Sequence, residues 1–259
     1  PGLPAVKNYI ISIVQDIATR YDVDGIHFDD YFYPNGGMTT NQDAQTYIDN
    51  NPNNIGTIAD WRRDNVNQMI AGTYDAILTI NTNLNKNIVF GVSPAGIWKS
   101  GTPTGTSGNS AYSALYCDAL AWLNAGKVDY LAPQLYWKIT GAQDYAALSK
   151  WWNDQVKTSG KQMYISQAYY KMTDANNWTA TEIQNQFIQN RAASMDATFG
   201  QIAYNYTNIK NNSKTINDVL NSNQYKYKSF APPISGKDAI CPNIPENIRF
   251  VGSTLMWDT

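Results

Sequence analysis

Residues 21–34 read YDVDGIHFDDYFYP. A short apolar run, residues 24–30, has the composition of a strand and ends on two adjacent acids, Asp29 and Asp30. Three aromatic residues, Tyr31, Phe32 and Tyr33, follow them. Side chains alternate along a strand, so Gly25, His27 and Asp29 share one face while Ile26 and Phe28 share the other. The apolar face belongs against helices, which turns His27 and Asp29 to the opposite side of the sheet.

Outward from this strand the pattern repeats. Before it, LPAVKNYIISIVQDIATRY places Val6, Ile10, Ile13, Val14 and Ile17 at helical spacing, with Pro4 suited to the first turn. After it come four further strand candidates: NIVFGVSP (87–94), VDYLAPQLYW (128–137), KQMYISQAYY (161–170) and GQIAYNY (200–206). Helical segments separate them. IADWRRDNVNQMIAGTYDAILTINTNL carries Trp61, Met69, Ile70, Ile77 and Leu78 on one side, and ALYCDALAWLNAG ends on a glycine suited to a helix C-terminus. DYAALSKWWNDQV follows, and TATEIQNQFIQNRAASM opens with a capping box, Thr179 with Glu182.

Strand-helix alternation implies a parallel sheet with right-handed crossovers. The fold class expected is α/β, a (β/α)8 TIM barrel represented by its C-terminal five strand-helix units. At 259 residues the chain has the size of one large domain. Residues 1–230 are assigned to the barrel and the proline-punctuated stretch 231–245 to a linker. Residues 246–259, ENIRFVGSTLMWDT, are read as the truncated start of a fibronectin III-like module or as a C-terminal arm. An incomplete barrel has exposed edge strands, which predicts self-association through them.

Composition narrows the partners. A net charge of −2 provides no basic surface for nucleic acid, and no apolar run approaches the roughly 20 residues of a membrane span. Eight Trp and 18 Tyr beside sparse charge suit either stacking on sugars or ordinary core packing. The one His and the distant Cys117 and Cys241 match no metal or redox spacing, and there is no serine nucleophile elbow or phosphate-binding glycine loop. No metal and no cofactor are expected. GMTTNQDAQTYIDNNPNN is rich in oxygen ligands without the spacing of a calcium loop, and it is read as a long loop over the cleft.

The acid pair lies where barrel enzymes gather their catalytic groups, at a strand's C-terminal end. Glycosidic cleavage needs one protonated carboxyl to assist the departing oxygen and one carboxylate to stabilise positive charge or guide a nucleophile. Neighbouring acids raise one another's proton affinity and so supply that difference. Backbone-adjacent acids suit substrate-assisted hydrolysis, in which the sugar's own 2-acetamido oxygen attacks, one acid orients the acetamide and its neighbour protonates the leaving group. Asp29 and Asp30 are the candidates for these two roles.

RYDVDGIHFDDYFYP, DWRRDNVNQMI, FGVSPAGIW and VDYLAPQLYW, in this order, resemble the glycosyl-hydrolase-like family 10 proteins, a former domain of unknown function distinct from the family 10 xylanases. The match runs from about Gly2 to about Tyr206. The resemblance implies an extracytoplasmic (β/α)8 barrel that cleaves peptidoglycan glycan stripped of peptides, with three strands preceding Pro1. A wider similarity is to chitinases whose fourth strand reads D-G-x-D-x-D-x-E. Asp24, Gly25 and Asp29 match; His27 and Tyr31 replace two acids, so the usual proton donor is absent and Asp30 takes that place.

Further substrate-binding candidates are His27, Tyr31, Ser93, Trp98, Gln134, Tyr136 and Asn205. Alternation puts Gln134 and Tyr136 on one face, and Tyr136 resembles the chitinase tyrosine that contacts the acetamide; barrel filling would use the same residues. Ser93 ends its strand. Trp98 either floors a sugar ring or packs on its own barrel. Arg62 and Arg63 serve as cleft-edge donors or helix-surface ion pairs. The reading that follows is a secreted or envelope glycoside hydrolase of N-acetylated polysaccharide, peptide-free bacterial cell-wall glycan in particular. The alternatives are a double-displacement glycosidase with Asp29 as nucleophile and a non-catalytic carbohydrate-binding barrel.

Overall fold

The computed structural model describes residues 2–34, 42–229, 232–234, 237 and 245–258. Its elements, in chain order, are α1 (Pro4–Arg20), β1 (Gly25–Phe28), α2 (Ala44–Asp49), α3 (Ile58–Leu84), β2 (Val89–Val92), α4 (Ala111–Ala114), α5 (Ala119–Asn124), β3 (Tyr130–Leu131) and β4 (Gln134–Leu135). These are followed by α6 (Tyr145–Ser159), β5 (Gln162–Ala168), α7 (Ala180–Asn190), β6 (Thr198–Tyr204), α8 (Tyr206–Lys210), α9 (Ile216–Ser222), β7 (Glu246–Val251) and β8 (Thr254–Asp258).

Strands β1 to β6 form one sheet whose pairings are all parallel. Both β3 and β4 pair with β5, so they are two halves of one strand interrupted at Ala132-Pro133. Proline has no N–H to donate to the ladder, which accounts for the break. Counted this way, the five expected strands stand side by side in chain order, the arrangement of successive βα units and compatible with a partial barrel. Among the described residues β1 and β6 each pair on one side only.

One face of the sheet is packed by helices. Ile26, Phe28, Phe90, Val92, Leu131, Leu135, Met163 and Ile165 meet Ile70, Ile77, Trp122, Leu148, Trp152 and Val156 in a single cluster. Each such large side chain contributes about 1.5–3 kcal/mol on burial.

The helix ends follow their sequence signals. Pro4 opens α1, and the carbonyls of Ala18 and Thr19 at its end and of Tyr21 just past it accept from Lys86 Nζ. Thr57 caps α3 by accepting from Asp60 N, and Asn85 closes it in the left-handed region.

Three local expectations change. The helix expected across residues 114–126 is split into α4 and α5, because Tyr116 adopts φ 52° to place its hydroxyl beside Arg62. The capping box of α7 is half formed: Glu182 N donates to Thr179 Oγ1, while the Glu182 carboxylate accepts from Ile139 N and Gln186 Nε2. The segment after the acidic strand is not all loop, since its described part contains α2. Asn50 O beside this helix accepts from Trp61 Nε1 of α3.

Strands β7 and β8 form a separate antiparallel hairpin, exposed along its length. Two strands do not specify a fibronectin III-like module. In the expected linker, Pro233 O accepts from Gln162 Nε2, and buried Lys237 lies 3.6 Å from Asp129. The connection is therefore tied to the sheet at these two points. Cys241 lies outside the described residues.

Candidate active site

The chain leaves β1 after Phe28, whose carbonyl accepts the last ladder bond from Ser93 N. A turn follows, with Phe32 N donating to Asp30 O at 2.8 Å. Phe32 meets the edge of Trp122, and buried Tyr33 packs on Tyr116 at 4.9 Å. These two apolar anchors bind the loop to the helix layer, leaving Asp29 and Asp30 at the sheet's rim.

Beneath them Arg62 donates from Nε to Asp43 Oδ2 at 2.9 Å, from Nη2 to Asp43 Oδ1, and from Nη1 to Tyr116 OH at 2.6 Å. Arg62 is a buried ion pair, not a helix-surface one. Arg63 pairs with exposed Asp60 across one helical turn.

The two carboxyl groups occupy different environments. Asp29 is exposed, and its Oδ1 accepts from Asp30 N at 2.8 Å and Gln134 Nε2 at 2.7 Å. Gln134 sends its second amide proton to Ser93 O at 3.1 Å, so both its protons are committed to holding the site. Asp30 is only 8% exposed. Burial, then the Asp29 charge and a hydrogen bond to Asp29, push the Asp30 pKa up to about 6, against a smaller opposing effect of its own backbone amide and Gln134. Asp30 therefore holds its proton well above the ordinary carboxyl range beside the Asp29 side chain. Cys117, fully buried, is held well above the ordinary thiol range by burial and by the nearby Asp30 charge, so it remains a neutral packing group.

His27 lies on the same face one alternation earlier. Its Nδ1 is 3.0 Å from Tyr130 OH, and the two rings stack with centroids 5.7 Å apart. Desolvation lowers the His27 pKa, an effect that the Asp29 charge opposes in part. Tyr130 reaches His27 by crossing β2 at Gly91, where a Cβ would lie 2.1 Å from Tyr130 Cζ. Glycine is required at this position by the close approach of that ring.

An aromatic rim completes the site. Tyr31 is 72% exposed, and the charges of Asp29 and Asp30 raise its pKa. Tyr136 is half-buried; burial, followed by Asp29, holds its hydroxyl protonated far above neutrality. The ring of Tyr136 stacks on Tyr204 at 5.8 Å, and Tyr170 stands edge-on to both.

Of the residues expected from sequence, Asp29, Asp30, Tyr31, Gln134 and Tyr136 come together, and His27 lies beside them. Ser93 joins through its backbone carbonyl, while its buried Oγ donates to Ala132 O at 2.7 Å. Trp98 donates from Nε1 to Asp118 at 3.0 Å and stacks with Trp151, a cluster of its own. Asn205 is not among the residues brought together, its Oδ1 accepting from Asn208 Nδ2 of α8. Tyr130, Tyr170 and Tyr204, which no sequence motif singles out, also join the site. Alternation along GQIAYNY puts Gly200, Ile202 and Tyr204 on one face, and the ladder to β5 shifts between Met163 and Tyr164 so that Tyr164 pairs with Gly200.

A groove of about 620 Å³ lined by Lys7, Asn51, Trp61 and Asn65 lies in the helix layer and shares no residue with this site. Among the described residues no group of three or more His, Cys, Asp or Glu is placed to hold a metal ion, and no helix is long and apolar enough to cross a membrane.

Comparison with known proteins places the chain in a family. The chain is 32% identical over 257 residues to glycosyl hydrolase YngK of Bacillus subtilis (strain 168), covering 95% of this chain and 49% of that protein. It is 41% identical over 177 residues to glycosyl hydrolase DigH of Escherichia coli (strain K12), covering 66% of this chain and 39% of that protein. The chain therefore spans half or less of the length of these curated relatives. Residues 1–184, which include the acid pair, Gln134 and Tyr136, match the family described as glycosyl hydrolase-like 10, and the chain belongs to that family.

Proposed function

We propose that the chain carries the acid pair of a glycoside hydrolase acting on N-acetylated polysaccharide, peptide-free peptidoglycan glycan in particular, by substrate-assisted cleavage. The observation that carries this reading is the asymmetry of the pair: a buried Asp30 that keeps its proton to about pH 6 touches an exposed Asp29 held by Gln134. Glycosidic cleavage needs that division between a proton donor and a carboxylate.

In the proposed reaction the Asp29 carboxylate accepts the acetamide N–H and turns the acetamide oxygen toward the anomeric carbon. That oxygen forms the new bond to carbon as the glycosidic C–O bond breaks, and Asp30 gives its proton to the departing oxygen. Asp30, now a carboxylate, takes a proton from water as the water opens the cyclic intermediate, and the sugar recovers its acetamide. In this reading the protonated Tyr136 hydroxyl donates to the acetamide oxygen. His27, whose pKa is lowered by burial, packs against Tyr130 beside the acids. Cell-wall glycan lies outside the cytoplasmic membrane, so an extracytoplasmic location accompanies the substrate.

The test is digestion of peptide-free glycan by the full-length protein, with reducing-end release followed by mass analysis. Asp30→Asn and Asp29→Asn are each expected to lower turnover by about 10²–10⁴. Full turnover in both variants contradicts the proposal, and a covalent sugar adduct on Asp29 would replace it with a double-displacement mechanism. Glycan binding without any bond cleavage would favour the non-catalytic reading.

A further inference from the structure

Three tyrosines from successive strand ends meet beside the acid pair. Tyr136 follows β4, Tyr170 follows β5 and Tyr204 ends β6. The rings of Tyr136 and Tyr204 lie within 20° of parallel, and Tyr170 is edge-on to both at 5.9 Å and 5.8 Å. Tyr136 covers one side of Tyr204, yet Tyr204 remains 52% exposed. Ile202 and Tyr206, on either side of it in the sequence, are exposed as well.

The chemistry around Tyr204 selects its ligand. Aromatic faces carry negative charge density and attract the weakly positive C–H face of a ring. Asp29 and Asp30 next to the tyrosines repel phosphates and carboxylates, which disfavours single-stranded nucleic acid despite its affinity for stacked aromatics. The nearby cation, Lys171, is committed through Nζ to Tyr136 O at 2.6 Å. An uncharged ring with hydroxyls at its edge satisfies both constraints.

We propose that Tyr204, backed by Tyr136 and Tyr170, is a stacking subsite for an uncharged pyranose ring, so that a glycan runs from the acid pair toward the end of β6 and not toward Trp98. The inference rests on the glycosidase reading for its ligand class and adds the direction of the chain and the residues that bind it. Trp98 does not serve this purpose, because Asp118, Trp151 and Tyr112 already hold its indole.

Calorimetric titration of the full-length protein in the Asp30→Asn background with N-acetylglucosamine hexasaccharide and, separately, cellohexaose tests it. Tyr204→Ala is expected to weaken binding about tenfold or more, the effect of losing one aromatic stack. Tyr204→Trp should retain binding, which guards against a loss caused by misfolding, and Tyr9→Ala on exposed α1 should leave it unchanged. Binding to cellohexaose alone, lost in Tyr204→Ala, would refute the N-acetylated substrate while upholding the subsite. Hexasaccharide binding indifferent to Tyr204, or lost in Trp98→Ala instead, would overturn the subsite and leave the hydrolase reading standing. Failure to bind either glycan would overturn it too.

Discussion

Replacing Asp30 with Asn should stabilise the fold above pH 6 while removing the proposed proton donor. The folded protein holds the Asp30 proton to about pH 6, whereas an unfolded chain releases it near the ordinary 3.8. Between those values the native state binds more protons than the unfolded state, so stability falls as pH rises. The penalty is absent below the unfolded value and complete above the folded one. Moving a buried carboxyl from 3.8 to about 6 is worth about 3 kcal/mol at most. Asparagine has the same shape without the charge and does not incur this loss. Urea unfolding of both proteins from about pH 4 to about pH 8 should show equal stability at the acid end and a gap growing to about 2–3 kcal/mol in favour of Asp30→Asn at the alkaline end. A gap that stays constant across this range would refute the claim that burial and Asp29 hold the proton on Asp30.

Two other perturbations probe the scaffold beneath the acids. Arg62→Met leaves Asp43 charged in a largely buried position and should cost roughly 3–5 kcal/mol. Unfolding of Arg62→Met and of Arg62→Met/Asp43→Ala checks this, since the double variant should recover much of the loss. Gly91→Ala should expel the Tyr130 ring, at a cost of about 1–3 kcal/mol in overpacking. The chain has one histidine, so a single NMR titration reads the consequence: the His27 pKa should rise as the desolvating ring departs and the Asp29 charge remains. An unmoved His27 pKa would show that Tyr130 does not control it.

How much of this was legible depended on whether a signal was local. The acidic strand was readable because alternation and composition agree over residues 24–30, and α3 was readable at both ends because Thr57 and Asn85 are local caps. The break at Pro133 has a local cause too, the missing N–H, although hydrophobicity continues across it. The split between α4 and α5 has none: Tyr116 takes a left-handed backbone beside Arg62, 54 residues away in the chain. Trp98 could not be assigned from sequence for a similar reason, since Trp151 and Asp118 decide its orientation. The acid pair itself was visible as two letters. Which acid would be buried depended on Phe32 and Tyr33 anchoring the loop, and on Gln134 reaching Asp29 from another strand.

The pH dependence of kcat/KM on peptide-free glycan tests the central assignment most directly. If Asp30 donates the proton, the wild-type profile falls on an alkaline limb centred near pH 6, and the residual activity of Asp30→Asn lacks that limb. A wild-type profile that stays level well above pH 6, or the same limb persisting in Asp30→Asn, would place the proton donor elsewhere.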